Sequence, residues 1–147
     1  MKSSLCFLVA VCLCAFNLPP LRSAEDAPAP GIEGIEWSLQ EIHGKPSHAR
    51  EKGRQTLKLE AGKKQALGSG GVNRFSGRYE QTGDKLKFGP LASTMMASVD
   101  DEMMDAETAY HAALANVTNW RMTDGALELL KDKTVVLRFT AAKAENK

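Results

Sequence analysis

Four methionines fall within ten residues of this chain, Met95, Met96, Met103 and Met104. Thioethers are soft donors, and a cluster of them is a set that can hold Cu(I). Against that reading, adjacent methionines on a helix point in different directions, and flexible methionine is a common filler of irregular cores. The carboxylates are scattered except at Asp100, Asp101 and Glu102, where a helix start would use them to cap free amides and to complement the positive end of the dipole. His43, His48 and His111 are the three histidines. None has an i, i+4 partner or the neighbouring carboxylates of a hydrolytic metal site, so a surface position is the default. Asn73 beside Gly70 and Gly71 would let a ligand approach the backbone, but such a group more often makes a bulge or turn. No Lys-Ser/Thr pair follows, which excludes a phosphate loop, and no Gly-x-Ser-x-Gly elbow exists. The sequence therefore assembles no nucleophile and base, and reads as a non-enzyme with no catalytic residue, metal ligand or cofactor. Asn116, Val117 and Thr118 fit the glycosylation acceptor pattern, which matters only in a eukaryotic secretory pathway.

Cysteine usage narrows the chemistry further. All three cysteines, Cys6, Cys12 and Cys14, lie in the first 24 residues. There Lys2 precedes twelve unbroken apolar residues from Leu5 to Phe16, followed by Pro19, Pro20, Ser23 and Ala24. That order is the pattern of a signal peptide cut near residue 24, and the run is short of the ~20 residues needed to cross a bilayer. Arg22 stands at the wrong place for a cut after Ala24, and Leu21 for a cut after Ser23. Leu5, Val11 and Leu13 precede the cysteines, which argues against a lipoprotein. The mature chain is then free of thiols, disulfides and Cys-zinc sites. Lys2 and Arg22 account for two of the 19 basic residues, so the remainder nearly balances the 18 acidic ones with the signs interspersed. Neither nucleic acid nor an anionic membrane is indicated by that charge.

The elements that would position these residues follow from periodicity. Residues 25–34, rich in Ala, Pro and Gly, are expected to form a flexible leader, with the domain running over 35–140 and a polar tail over 141–147. Alternation at Ile35, Trp37 and Leu39, at Leu57 and Leu59, at Phe75, Gly77 and Tyr79, and at Leu86 and Phe88 predicts half-buried antiparallel strands. Trp120 and Met122, Leu127 and Leu129, and Val135, Leu137 and Phe139 predict a meander, with turns at Asp124 and Gly125 and around Asp132. Gly83 and Asp84 mark a comparable turn. Between the two groups, Met103, Glu107, Tyr110 and Leu114 recur at helical spacing over 100–116. The expected fold is α+β, mainly β: a strongly curved antiparallel sheet or partial barrel packed on one amphipathic helix.

Residues 68–79, Gly-Ser-Gly-Gly-Val-Asn-Arg-Phe-Ser-Gly-Arg-Tyr, and 86–97, Leu-Lys-Phe-Gly-Pro-Leu-Ala-Ser-Thr-Met-Met-Ala, carry a resemblance to the META domain, the family of the HslJ heat-shock protein. Trp37 to Gly44 looks like its opening strand, Glu107, Tyr110 and Leu114 match its helix, and Leu127, Leu129, Leu137 and Phe139 match its closing strands. The motif positions are Asn73, Phe75, Gly77, Ser93, Thr94 and Met95, which become the candidate binding positions. Val72 and Ser98 stand where family members commonly have cysteines, so any cysteine-dependent property of the family is not expected here. The resemblance implies an exported or envelope-associated protein linked to stress and antibiotic tolerance or to motility and secretion, without a defined activity.

The functional expectation is an exported, periplasmic or secreted, monomeric protein that acts by binding an envelope or secreted protein, with membrane association less favoured. Two alternatives stand beside it: a carrier of a small apolar ligand or lipid, since curved sheets enclose pockets, and soft-metal binding through the methionines.

Overall fold

A computed structural model of the chain describes residues 31–47, 53–98 and 100–142. Residues 1–24, expected as a signal peptide, residues 25–30, His48 and the tail from 143 onward lie outside the described residues.

Strands form where apolar and polar residues alternate, because alternate side chains leave a strand on opposite faces. β1 (Glu36–Ile42) buries Trp37 and Leu39 and returns through His43 and Gly44, both at positive φ, into the two-residue β2 (Lys45–Pro46). β3 (Thr56–Glu60) buries Leu57 and Leu59. A single 3-10 turn leads from it into β4 (Gln65–Ser69), which buries Ala66. β5 (Arg74–Thr82) and β6 (Lys85–Ser93) form a hairpin whose register slips between Gly77 and Tyr79. After the helix α1 (Asp101–Ala115), the predicted meander is present as β7 (Asn119–Thr123), β8 (Ala126–Lys131) and β9 (Thr134–Ala141). Asp124 and Gly125 turn at φ 51° and 77°, the left-handed pair that a two-residue hairpin requires.

Among the described residues nine strands pair antiparallel in the order β2-β1-β3-β4-β5-β6-β7-β8-β9, and β1 also pairs with β9. The sheet thus curls back on itself as the expected partial barrel. Its closure is uneven, because β1 and β9 share five register pairs whereas β6 and β7 share one, Lys85 with Asn119. α1 leaves from the end of β6, returns at β7 and packs on β6, β1 and β9. Asp100 caps it, its carboxylate accepting from the amides of Glu102 (3.1 Å) and Met103 (3.3 Å), the structural use expected of the acidic group.

Glu107, Tyr110, Ala113 and Leu114 make the buried stripe of the helix. Tyr110 meets Phe75 edge-on at 5.8 Å and Phe139 at 6.2 Å, and its hydroxyl donates to the Thr56 carbonyl at 3.1 Å. Leu57, Leu59, Leu86, Leu127, Leu129 and Leu137 complete the centre without exposed surface. Truncating any one of them to alanine costs about 2–5 kcal/mol.

The packed domain begins earlier than Ile35. Ile32 is fully buried, and the Trp37 indole donates to its carbonyl at 2.9 Å. The Glu33 carboxylate receives the Tyr79 hydroxyl and, at 2.8 Å, the Lys64 ammonium. These bonds hold its carboxyl below the usual range, while burial, joined by the bond to Glu33, pushes the Tyr79 phenol upward. Residues 31–34, expected as part of a flexible leader, are therefore fixed to the sheet. Ile35, expected to face inward, is 37% exposed and precedes β1. The small residues around Ile32 hide a single core anchor that periodicity does not register.

Candidate functional site

Asn73 lies in the turn between β4 and β5, where its carbonyl accepts from the Gly70 amide at 2.7 Å. Its side-chain amide uses all of its bonding capacity. The oxygen accepts from the Met96 amide (2.7 Å) and the Thr94 hydroxyl (2.9 Å), while the nitrogen donates to a Glu107 oxygen (2.7 Å) and the Met96 carbonyl (3.2 Å). The other Glu107 oxygen accepts from the amides of Val72 (2.9 Å) and Asn73 (2.7 Å). One junction thereby ties the β4–β5 turn, the segment after β6 and the middle of α1. Burial alone would raise the Glu107 carboxyl, but bonds from the Asn73 amide, its side chain and the Val72 amide, with His111 nearby, outweigh it and hold the pKa low.

Close approach makes the junction possible. A Cβ on Gly70 would lie 2.6 Å from the Glu107 side chain, so any other residue there would push the carboxylate away. Gln55 extends the network, accepting from Ser47 (2.8 Å) and donating to the carbonyls of Gly70 (2.9 Å) and Ala106 (3.1 Å). The glycine and asparagine group is thus the turn that the sequence suggested, and its polar atoms are spent on the fold.

The other motif positions divide by face. Phe75 is core, packed edge-on against Tyr110 and His111. Gly77 allows β6 to approach, since a Cβ there would lie 2.6 Å from Leu91. Ser93 and Thr94 are exposed, Thr94 still bonding Asn73, and Met95 is 99% exposed. Val72 and Ser98 flank the junction on either side, Ser98 accepting from the Asp100 amide at 3.1 Å.

The methionines do not share an environment. Met95 and Met96 face water, at 99% and 56% exposure, whereas the methyl end of Met103 approaches Gly53. His43 forms the β1–β2 turn. His111, expected on the surface, is half-buried with its Nε2 covered and without a hydrogen-bond partner, and burial lowers its pKa against the opposing pull of Glu107. It lies on the core-facing side of α1 beside Phe75, which the helical spacing of Glu107, Tyr110 and Leu114 did not include. Among the described residues no group of His, Cys, Asp and Glu is placed to hold a metal ion, and no helix is long and apolar enough to cross a membrane.

The outer face of the sheet carries the feature that the sequence did not reveal. Glu36, Lys58, Leu67, Ser76 and Ala92 are successive cross-strand partners, as are Thr56, Ser69 and Arg74 in the next row. All alternate with the buried Leu57, Ala66 and Phe75, so they face outward. With Arg54, Ser93 and Thr94 they line an open groove of about 940 Å³ across β3, β4, β5 and β6. Arg54, Lys58 and Arg74 went unnoticed because a cation on an exposed strand position reads as ordinary solvated surface, and only the register shows that they converge.

The interior behind this face is occupied by the side chains of the core cluster. That filling counts against a carrier with an apolar ligand inside the sheet.

Residues 31–144 match the META domain family. An NMR structure of a protein from Burkholderia xenovorans is similar at 25% identity and a TM-score of 0.60, covering 84% of this chain and 99% of that one. A second NMR structure has a TM-score of 0.60 at 22% identity, covering 78% of this chain and 95% of that one, a likeness of fold alone. No curated protein sequence matches the chain. With the family match spanning most of its length and the curved sheet and helix in place, this chain belongs to the META domain family.

Proposed function

We propose that this protein is an exported, non-enzymatic binding module of the cell envelope that engages a partner through the outer face of β3, β4, β5 and β6. The observation that carries the reading is the division of labour around the motif. Asn73 and Glu107 commit their polar atoms to one another and to backbone groups, leaving no free acid, base or nucleophile at that junction. What faces solvent beside them is a broad groove lined by cations and hydroxyls. Such a surface suits recognition of another molecule. Export rests on the signal pattern of residues 1–24, and association with the envelope and stress rests on the family.

A photo-crosslinking residue placed at Ser76, on the groove floor, should yield a discrete adduct in cells, while the same residue at Lys133, in the β8–β9 turn, should not. Saturable turnover of a cell-wall or lipid substrate by the purified protein, or adducts formed equally from both positions, would refute the reading.

A further inference from the structure

We infer that the groove on the outer face takes an extended acidic segment of a partner polypeptide; the inference rests on the binding reading above and names the chemistry of its ligand. Arg54, Lys58 and Arg74 line the groove against a single carboxylate, Glu36. Among the described residues none of the three cations makes an ion pair. Other cations of the sheet do pair, Lys64 with Glu33, and Arg121 and Arg138 with Glu128. A chain of nearly balanced overall charge thus places in one concavity three cations that form no ion pair among the described residues. Guanidinium groups bind carboxylates through two parallel hydrogen bonds, and the ammonium adds a third point of charge.

The lining selects among anions. Thr56, Ser69 and Ser76 supply hydroxyls that can donate to a peptide carbonyl, while the Ser93 and Thr94 protons go to Arg74 and Asn73. Single-stranded nucleic acid is bound by stacking its bases on aromatic rings, and the only ring in the lining, Phe75, is turned into the core at 3% exposure. A bilayer is a broad plane that cannot follow a concave channel. Lys58 and Arg74 lie two strands apart, roughly 10 Å, a distance that an extended chain covers in about three residues. A run of Asp or Glu therefore meets both ends, and the half-buried Leu67 and the exposed Ala92 on the same face accept its apolar side.

The test measures fluorescence anisotropy of a labelled octaglutamate peptide with the purified protein at low salt. Binding should saturate and weaken as salt is raised, because exposed charges are screened. Lys58→Glu with Arg74→Glu should weaken it by at least about tenfold, and Lys58→Gln with Arg74→Gln by less, since reversal adds repulsion to lost attraction. Lys131→Glu with Lys133→Glu, remote from the groove, should leave it unchanged. All these positions are exposed, so unchanged thermal melting verifies the fold. Absence of binding, equal loss from both pairs of reversals, or displacement of the peptide by anionic phospholipid vesicles with the same groove dependence would overturn the inference. If octaglutamate fails while the Ser76 crosslink still forms, the ligand chemistry is wrong and the binding reading stands. If both fail, the binding reading falls too.

Discussion

A carboxylate that accepts three hydrogen bonds inside a junction is held ionised by its donors, and Glu107 is such a group. Its folded pKa lies below the ordinary value, so between the two values the unfolded chain binds the extra proton and the folded one does not. The stabilisation is complete above the unfolded value, about 4.3, and is lost as pH falls through the folded one. Glu33 behaves in the same sense, so the acid limb of stability belongs to both. Glu107→Gln should destabilise the protein at pH 7 by about 2–3 kcal/mol, because an amide cannot accept at both ends and the Asn73 side chain meets a donor. The gap to the natural protein should narrow on acidification. His111, whose pKa burial lowers, loses stability from about pH 6.5 downward, so the carboxylate comparison is read below about pH 4.5. Urea titrations at several pH values measure it, and a gap that stays constant would show that the Glu107 charge does not hold the junction. Glu107 was visible in the sequence as one position of a helical stripe. Its acceptor role was not, because the donors lie 34 and 35 residues away in the chain.

Elements with bulky alternation were legible and elements built on small residues were not. β1, β3, β5 and the meander announce themselves through Trp37, Leu57, Phe75 and Leu137, whose burial repays the ordering of each strand. β4, in contrast, sends only Ala66 and Gly68 inward, and no periodicity signal survives such small side chains. Gly68 has a physical reason to be small: a Cβ there would lie 2.1 Å from the Thr56 carbonyl oxygen and 2.6 Å from the Phe75 ring. Because the first obstacle is backbone, β3 and β4 would have to separate. Gly68→Ala should cost roughly 2 kcal/mol or more, in the range of strained core substitutions. Gly62, with nothing within 4 Å of an added Cβ, serves as the control. Gly62→Ala should stay within about 0.5 kcal/mol of the natural protein. Equal effects on thermal melting would mean that the sheet yields at β4, and that the close approach is not needed to bring Phe75 against Tyr110.

At the scale of the molecule, the curled sheet closes strongly on one side and weakly on the other. β1 seals against β9 along most of its length, whereas β7 meets β6 only around Lys85 and Asn119. Two amide bonds reinforce that seam, Leu86 to the Thr118 carbonyl at 3.1 Å and Trp120 to the Asp84 carbonyl at 2.8 Å, and the Trp120 indole adds a third to Gly83 at 2.9 Å. Beyond them α1 fills the gap, anchored by its core stripe and by the Glu107 junction. Regions with fewer cross-strand bonds open at lower free energy than the whole. Native-state hydrogen exchange should therefore find amides of β1, β8 and β9 protected to the global limit, and amides of α1 and β7 exchanging through a smaller opening. Trp120→Phe keeps an aromatic ring but removes the indole donor, and should lower protection at this seam by about 1 kcal/mol beyond any global change. Loss of α1 from the sheet would also release the Glu107 bonds to Val72 and Asn73, and with them the support of the groove rim. An opening energy for α1 equal to that of β9 would mean that the sheet and helix unfold as one body, with the groove rim as rigid as the core.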